Sequence, residues 1–124
     1  MPKILVVEDD SLVRALAVDF LSELGLAAEE AGSAAEALVK IEDPDITGLV
    51  IDIGLPDQDG DEIASGFRQT HPHLPIIIAS GRGEAELTQK FAGDARIRIV
   101  SKPYTLDSLE QALKAVGIPP GRGA

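Results

Sequence analysis

The sequence contains no cysteine and no tryptophan, and only 3% of its 124 residues are aromatic. The absence of cysteine excludes a disulfide framework, a cysteine-ligated zinc site and thiolate catalysis, and it suits a reducing compartment. Long apolar segments are also absent: the longest runs have four or five residues, as at residues 4–7, whereas a membrane-spanning helix needs ~20. The run at residues 4–7 is too short for the apolar part of a signal peptide. We therefore expect a cytoplasmic protein that does not associate with membranes.

Positive charge is scarce, with 11 Lys and Arg against 21 Asp and Glu and a formal net charge of −10. Because binding to nucleic-acid phosphates depends on a surplus of Lys and Arg, we expect no direct contact with nucleic acid. Apolar residues make up 44% of the chain, enough for one core in a chain of single-domain length. We expect one domain over residues 1–117 and a flexible Pro/Gly-rich tail over residues 118–124.

Short β-branched runs alternate with amphipathic segments along the whole chain. This alternation is typical of a parallel sheet covered by helices on both faces. The predicted strands, in chain order, are residues 3–7, 27–30, 48–53, 75–79 and 96–100. The predicted helices lie near residues 12–24, 34–41, 61–70, 84–92 and 106–116. The sequence therefore predicts an α/β fold with a doubly wound, five-stranded parallel sheet.

The helix predictions depend on apolar residues that repeat at steps of three and four. The predicted buried faces are Leu12, Val13, Leu16, Ala17, Phe20, Leu21 and Leu24 in the first helix and Ala37, Leu38 and Ile41 in the second. Ser33 has capping-box spacing at the start of the second helix, and Gly25 follows the first helix as a C-cap should. The fourth helix offers only Leu87 and Phe91 as large apolar anchors, so we expect it to pack weakly.

Charged and polar side chains stand at the ends of four predicted strands. They are Glu8, Asp9 and Asp10 after the first strand, Asp52 at the end of the third, Ser80 after the fourth and Lys102 after the fifth. In a doubly wound sheet, ligands bind beyond the carboxyl ends of the strands, near the point where strand order reverses. Clustered carboxylates repel one another, so they raise a carboxyl pKa or bind a cation. Mg²⁺ is the natural counter-ion, because it prefers a few carboxylates together with waters and phosphate oxygens.

Each of these residues also has an ordinary structural explanation. Asp10 can cap the first helix. Asp52 can be a solvated loop carboxylate, and Lys102 can be a surface lysine. Glu8 and Asp9 lie earlier, at the strand end, where capping is less natural. The prediction of a site therefore comes from the joint placement of these residues at four strand ends.

Four motifs in chain order resemble the receiver domain of two-component response regulators, of the stand-alone, chemotaxis-regulator type. They are ILVVEDD at residues 4–10, DIGLPDQDG at 52–60, ASG at 79–81 and SKPY at 101–104. The resemblance covers essentially the whole chain and implies a flavodoxin-like sheet with strand order 2-1-3-4-5 and five helices. It also implies that a histidine kinase or phosphotransfer protein gives its phosphoryl group to the aspartate at the end of the third strand, here Asp52. Signalling would follow through a phosphorylation-controlled interaction with a downstream protein.

The same resemblance implies a set of Mg²⁺ ligands. Asp9 and Asp52 would ligate the ion directly, and Glu8 would act mostly through water. The backbone carbonyl of Gly54 would be the remaining Mg²⁺ ligand that the protein supplies. The chemistry would be phosphoryl transfer, in which positioning and charge neutralisation do most of the work.

Residues of the last two strands would contact the phosphoryl group. Ser80 would hydrogen-bond one phosphoryl oxygen and Lys102 would pair with another. The peptide bond between Lys102 and Pro103 would be cis. The sequence departs from the family at Ile99, where the family's switch aromatic normally stands three residues before the lysine. Tyr104 fits a common family pattern, and it equally fits a packing aromatic.

Two other interpretations use the same motifs. The chain can be a receiver segment of a hybrid histidine kinase or of a longer regulator, although we favour a stand-alone module because the sequence begins at Met1 and ends in the Pro/Gly-rich tail. A phosphatase of the haloacid dehalogenase type also uses an aspartate nucleophile, Ser or Thr, Lys and Mg²⁺. That class needs a second aspartate two residues after the nucleophile, where this chain has Gly54. We therefore expect a phosphoacceptor that catalyses only its own phosphorylation and dephosphorylation, and not an enzyme acting on other substrates.

Overall fold

In the computed structural model, which describes residues 2–81 and 83–119, five strands alternate with five helices. The strands are β1 (Lys3–Val7), β2 (Ala27–Ala31), β3 (Ile46–Asp52), β4 (Ile76–Ser80) and β5 (Ile97–Ser101). The helices are α1 (Ser11–Glu23), α2 (Ala34–Lys40), α3 (Gly60–Thr70), α4 (Glu84–Lys90) and α5 (Leu106–Ala115). All neighbouring strands are parallel, in the order β2-β1-β3-β4-β5. The predicted fold class and strand order are confirmed.

The register of the sheet sets which strand ends meet. Val7 pairs with Ile51 across β1 and β3, so the residues that follow, Glu8 and Asp52, start at the same level. On the other side, Asp52 pairs with Ala79 of β4. β2 lies on one side of β1, and β3, β4 and β5 lie on the other, so the strand order reverses at β1. Doubly wound folds bind ligands at the carboxyl ends of the strands near such a reversal.

The sheet is buried on both faces, because successive side chains of a strand point to opposite sides. One hydrophobic layer packs against α2, α3 and α4, and its strand residues are Leu5, Val7, Ala31, Ile46, Leu49, Ile51, Ile76, Ile78 and Ile97. The other layer packs against α1 and α5, and its strand residues are Ile4, Val6, Val50, Ile77, Ala79 and Val100. Burial on both faces explains why the central strands are nearly continuous apolar runs in the sequence.

The predicted strand bounds differ from the observed ones by one or two residues. The bounds of β1 agree, β2 extends to Ala31, and β3 starts earlier, at Ile46. The last two strands are each shifted one residue later than predicted. For β4 the reason is Pro75, which has no N–H to donate to a neighbouring strand, so the strand begins after it.

The predicted buried faces of α1 and α2 are wrong at three leucines. Leu12 is 81% exposed, Leu16 is 43% exposed and Leu38 is 53% exposed. In α1 the fully buried positions are Ala17 and Leu21. The apolar residues of α1 occupy a wider part of the helix surface than the sheet can bury. Periodicity alone therefore did not identify which of them are buried.

Local capping signals were better predictors of the helix ends. The Asp10 carboxylate accepts hydrogen bonds from the backbone N–H groups of Leu12 at 2.9 Å and Val13 at 3.2 Å, so the capping interpretation of Asp10 is confirmed. Gly25 follows α1 with φ of 76°, a conformation that favours glycine. These signals involve residues a few positions apart, and they need no tertiary contact to act.

Ile118, the first residue of the expected tail, contacts the domain. The backbone N–H of Ile118 donates to the Leu113 carbonyl at 2.8 Å, and the Ile118 side chain packs against the α1 and α5 layer. Ile118 is therefore half-buried, and the bounds of the domain and the tail stay predictions. Residues 120–124 of the expected tail lie outside the described residues.

Within residues 2–81 and 83–119, no helix has the length and apolar content needed to cross a membrane.

Candidate functional site

Three carboxylates meet at the carboxyl ends of β1 and β3. One oxygen from each of Glu8, Asp9 and Asp52 lies within 4.8 Å of the others. Glu8 is 3% exposed and Asp52 is 7% exposed, whereas Asp9 is exposed. The sequence predicted this convergence from the strand ends, and the structure brings the three residues together.

Lys102 is the cation of this cluster. Its Nζ donates one hydrogen bond to Glu8 Oε1 and one to Asp52 Oδ1, each at 2.9 Å. Its backbone N–H donates to the Ser80 carbonyl at 2.8 Å, which carries the pairing of β4 and β5 one residue beyond the strand. The peptide bond between Lys102 and Pro103 is cis, as the resemblance implied.

The electrostatics of the cluster follow from two buried carboxylates sharing one ammonium group. Burial raises the pKa of Glu8, and the neighbouring charge of Asp52 adds to that shift, although the bond from Lys102 opposes it. Burial lowers the pKa of Lys102, but the hydrogen bonds and charges of Asp52 and Glu8 outweigh it and hold the pKa above its ordinary value. The lysine therefore stays charged at neutral pH, and the carboxylates remain incompletely neutralised.

We expect the stability of the Glu8→Gln variant, relative to the parent chain, to increase with pH from about 4.5 upward. Because the pKa of Glu8 in the folded chain lies above its ordinary value of 4.5, its contribution to stability is complete below that pH. That contribution is lost as the pH rises through the raised pKa. Glutamine does not ionise, so the variant escapes the loss.

Thermal unfolding in EDTA between about pH 4 and pH 8 measures this effect. Asp19→Asn is the control, since Asp19 is exposed on α1. The difference in Tm between Glu8→Gln and the parent should grow with pH, and the difference for Asp19→Asn should stay flat. A pH-independent difference for Glu8→Gln contradicts the assignment of its raised pKa.

The loop after Asp52 folds back onto its own strand. The Gly60 N–H donates to the Ile53 carbonyl at 2.9 Å. A Cβ on Gly60 would lie 2.2 Å from the Asp52 carbonyl oxygen, so only glycine fits there. Gly54 lies beside the Asp52 carboxylate, since a Cβ at Gly54 would be 3.6 Å from Asp52 Oδ2. The loop thus keeps the predicted ligand residue Gly54 next to Asp52.

Asp57 in the same loop has a role that the sequence analysis missed. Its two carboxylate oxygens accept hydrogen bonds from the N–H groups of Ala34 at 2.9 Å and Ala35 at 3.0 Å. These two bonds lower the pKa of Asp57. Asp57 therefore ties the loop after Asp52 to the first turn of α2. No local signal identifies this contact, because the partners lie more than 20 positions away in the chain.

Ser80, Ile99 and Tyr104, the other positions that the resemblance singles out, lie in different environments. Ser80 is fully buried at the end of β4, where it pairs with Ser101 of β5. Ile99, at the position of the family's switch aromatic, is partly buried against the layer that contains α4. Tyr104 is 6% exposed, makes an edge contact with Phe20, and has its pKa raised to about 12 by burial. Tyr104 is thus a packing aromatic in this structure.

Comparison with known proteins identifies the family. The sequence profile of the response regulator receiver domain matches residues 4–114, and this chain belongs to that family. Two solved structures show the same fold. The receiver domain of NtrX from Brucella abortus is 29% identical with a TM-score of 0.80, over 92% of this chain and 98% of that one. A CheY-like receiver domain protein from Methanospirillum hungatei is 26% identical with a TM-score of 0.81, over 92% and 91% of the two chains.

Curated relatives carry the matching region inside longer proteins. The sensor kinase CckA of Brucella abortus is 32% identical over 90% of this chain and 12% of its own length. The transcriptional regulatory protein PmrA of Pectobacterium parmentieri is 30% identical over 92% of this chain and 51% of its own length. The chain thus spans about half of PmrA and a small part of CckA. The receiver domain is a module shared by sensor kinases and transcriptional regulators.

Proposed function

We propose that Asp52 accepts a phosphoryl group from a phosphohistidine of a histidine kinase or phosphotransfer protein, in a reaction that requires Mg²⁺. The observation that carries the proposal is the bond from Lys102 Nζ to Asp52 Oδ1, inside a cluster of three carboxylates within 4.8 Å of one another. A carboxylate nucleophile next to a fixed cation at the end of a central strand is suited to receive an anionic group.

Hydrogen bonding distinguishes Asp52 from its neighbour Glu8. Glu8 uses both carboxylate oxygens, one with Lys102 at 2.9 Å and one with the Asp10 N–H at 3.4 Å. Asp52 uses Oδ1 with Lys102, and no hydrogen bond to its Oδ2 forms within the described part of the chain. This leaves Oδ2 of Asp52 as the oxygen available for attack.

The proposed transfer is a displacement at phosphorus. An Asp52 oxygen forms a bond to phosphorus, and the bond between phosphorus and the donor imidazole nitrogen breaks. The electron pair of that bond returns to the imidazole, which takes a proton from solvent. Lys102 stabilises the charge on the phosphoryl oxygens, because its raised pKa keeps it protonated. Ser80, at the end of the adjacent strand, supplies a hydroxyl for another phosphoryl oxygen.

The donor set of the cluster fits Mg²⁺, which takes hard oxygen ligands in an open site. Glu8, Asp9 and Asp52 bring their carboxylate oxygens within 4.8 Å of one another, and the Gly54 carbonyl would add a neutral oxygen. When bound, Mg²⁺ supplies positive charge that offsets the carboxylates and the incoming phosphoryl group. Within the cluster, Lys102 pairs with Glu8 and Asp52, so one ammonium group faces three carboxylates.

The output that we propose is a phosphorylation-controlled interaction with another protein. With a net charge of −10, this domain is a poor ligand for nucleic acid. The alternative is that the domain acts as the receiver segment of a hybrid kinase or of a longer regulator. This alternative is supported by relatives such as CckA and PmrA, which carry the matching region within longer chains. Both alternatives use the same acceptor chemistry, and they differ in what the domain is attached to.

Labelling with a radioactive phosphodonor tests the proposal. The purified chain is incubated with acetyl phosphate or a phosphorylated histidine-containing donor, in Mg²⁺ and in EDTA. We expect label only in Mg²⁺, and we expect hydroxylamine to release it, because an aspartyl phosphate is an acyl phosphate. Equal labelling in EDTA, or label that survives hydroxylamine, contradicts the proposal.

A further inference from the structure

We propose that Arg14 is a positioning residue of the magnesium site, an inference that rests on the proposed function above. Arg14 lies in the first turns of α1, and its Nη1 donates a hydrogen bond to the backbone carbonyl of Glu8 at 2.7 Å. That carbonyl belongs to the peptide unit that joins Glu8 to Asp9. The guanidinium group therefore holds the peptide that links two of the three carboxylate residues of the cluster.

The Glu8 carbonyl needs such a partner because it lies beyond the end of the strand. β1 ends at Val7, and the last contact of this segment with β2 is the Glu8 N–H, which donates to the Ala31 carbonyl at 3.0 Å. A hydrogen bond from a charged guanidinium is short and strong compared with a neutral one. Arg14 thus fixes the chain where the hydrogen bonding of the sheet stops.

The position of Asp9 depends on the bond from Arg14 to the Glu8 carbonyl more than the positions of Glu8 and Asp52 do. Glu8 and Asp52 are both held by Lys102. Asp9 is exposed, and within residues 2–81 and 83–119 its carboxylate makes no hydrogen bond or ion pair. The direction of the Asp9 side chain is therefore set by its backbone, and Arg14 holds that backbone from the preceding peptide unit.

A second contact fixes Arg14 itself. Its Nε donates to Glu30 Oε1 at 3.2 Å, on the neighbouring strand β2, and its side chain is only 23% exposed. This second contact offers a control, because Glu30→Gln removes the ion pair but leaves the bond to the Glu8 carbonyl. If Arg14 only joined α1 to β2, substitution of Arg14 and substitution of Glu30 would change the Mg²⁺ affinity to the same extent. If Arg14 positions the ligands, only its own substitution weakens metal binding.

Isothermal titration calorimetry with Mg²⁺ alone, on the full chain, tests the inference. We expect Arg14→Gln to weaken Mg²⁺ binding about tenfold, the low end of the range for groups that orient metal ligands. Glu30→Gln should stay within about twofold of the parent chain, and Arg14→Lys should fall between the two, since an ammonium can donate to the carbonyl without the guanidinium geometry. Thermal unfolding in EDTA shows whether each variant is folded.

Equal losses of Mg²⁺ affinity in Arg14→Gln and Glu30→Gln overturn the inference. If Arg14→Gln does not fold, Arg14→Lys decides: weaker binding than Glu30→Gln supports positioning, and equal binding overturns it. The Asp9→Asn variant separates this inference from the proposed function. Loss of binding there, with parental affinity in the Arg14 variants, overturns only the positioning role. Absence of Mg²⁺ binding by the parent chain overturns both.

Discussion

We expect Asp52→Asn to abolish stable phosphoryl labelling of the chain and Asp59→Asn to leave it at the parental level. The amide keeps the size of the side chain but removes the carboxylate that attacks phosphorus. We expect a loss of at least ~1,000-fold, since removal of a nucleophile that forms a covalent intermediate leaves only background reactions. Labelling by a phosphorylated donor in Mg²⁺, followed over time, measures the effect.

Asp59 is a matched control because it lies in the loop that follows Asp52. It is the N-cap residue of α3, but its side chain makes no capping hydrogen bond, so the amide substitution removes no structural contact of that kind. Label on Asp52→Asn at the parental level refutes Asp52 as the acceptor. Loss of label on both variants points to a general effect of charge in the loop and would also count against the assignment.

We expect Lys102→Met to slow phosphorylation by about 100-fold or more and to destabilise the chain in the absence of Mg²⁺. The kinetic loss corresponds to removal of one fixed group that stabilises developing charge, which costs ~10²–10³ in rate. The loss of stability arises because Glu8 and Asp52 are buried and lose their shared cation. Breaking a fully buried pair costs ~3–5 kcal/mol. Since the Lys102 side chain is 25% exposed, we expect about 2 kcal/mol.

Mg²⁺ should restore part of this stability, because a ligand that binds only the folded state stabilises it. The increase in Tm on adding Mg²⁺ should be larger for Lys102→Met than for the parent chain. Lys114→Met is the control, since Lys114 on α5 is 57% exposed and pairs with Glu110 on the same helix. The control should change stability by less than about 0.5 kcal/mol. A Lys102→Met variant that is as stable and as rapidly labelled as the control contradicts the role given to Lys102.

Part of this site could be predicted from the sequence, because the sequence features that indicate it involve residues close together in the chain. Each candidate side chain lies at the end of a strand that the apolar pattern identifies or just after it, and parallel strands end at a common edge. Asp10 and Gly25 could be assigned as helix caps for the same reason, since each acts on a helix end next to it in the chain. The Mg²⁺ ligand set and the acceptor assignment came from the resemblance of these motifs to a family, and both remain predictions.

The sequence by itself determined the order of strands and helices, the two apolar layers and the set of polar residues at one sheet edge. Only the tertiary structure decided how Lys102 bridges Glu8 and Asp52, residues 94 and 50 positions away. It also decided that Asp57 accepts hydrogen bonds from the first N–H groups of α2 and that Leu12 faces solvent. The physical reason is the same in each case: periodicity and capping act over one or two turns, whereas these contacts depend on which helix face the sheet can bury and on which loops meet above it.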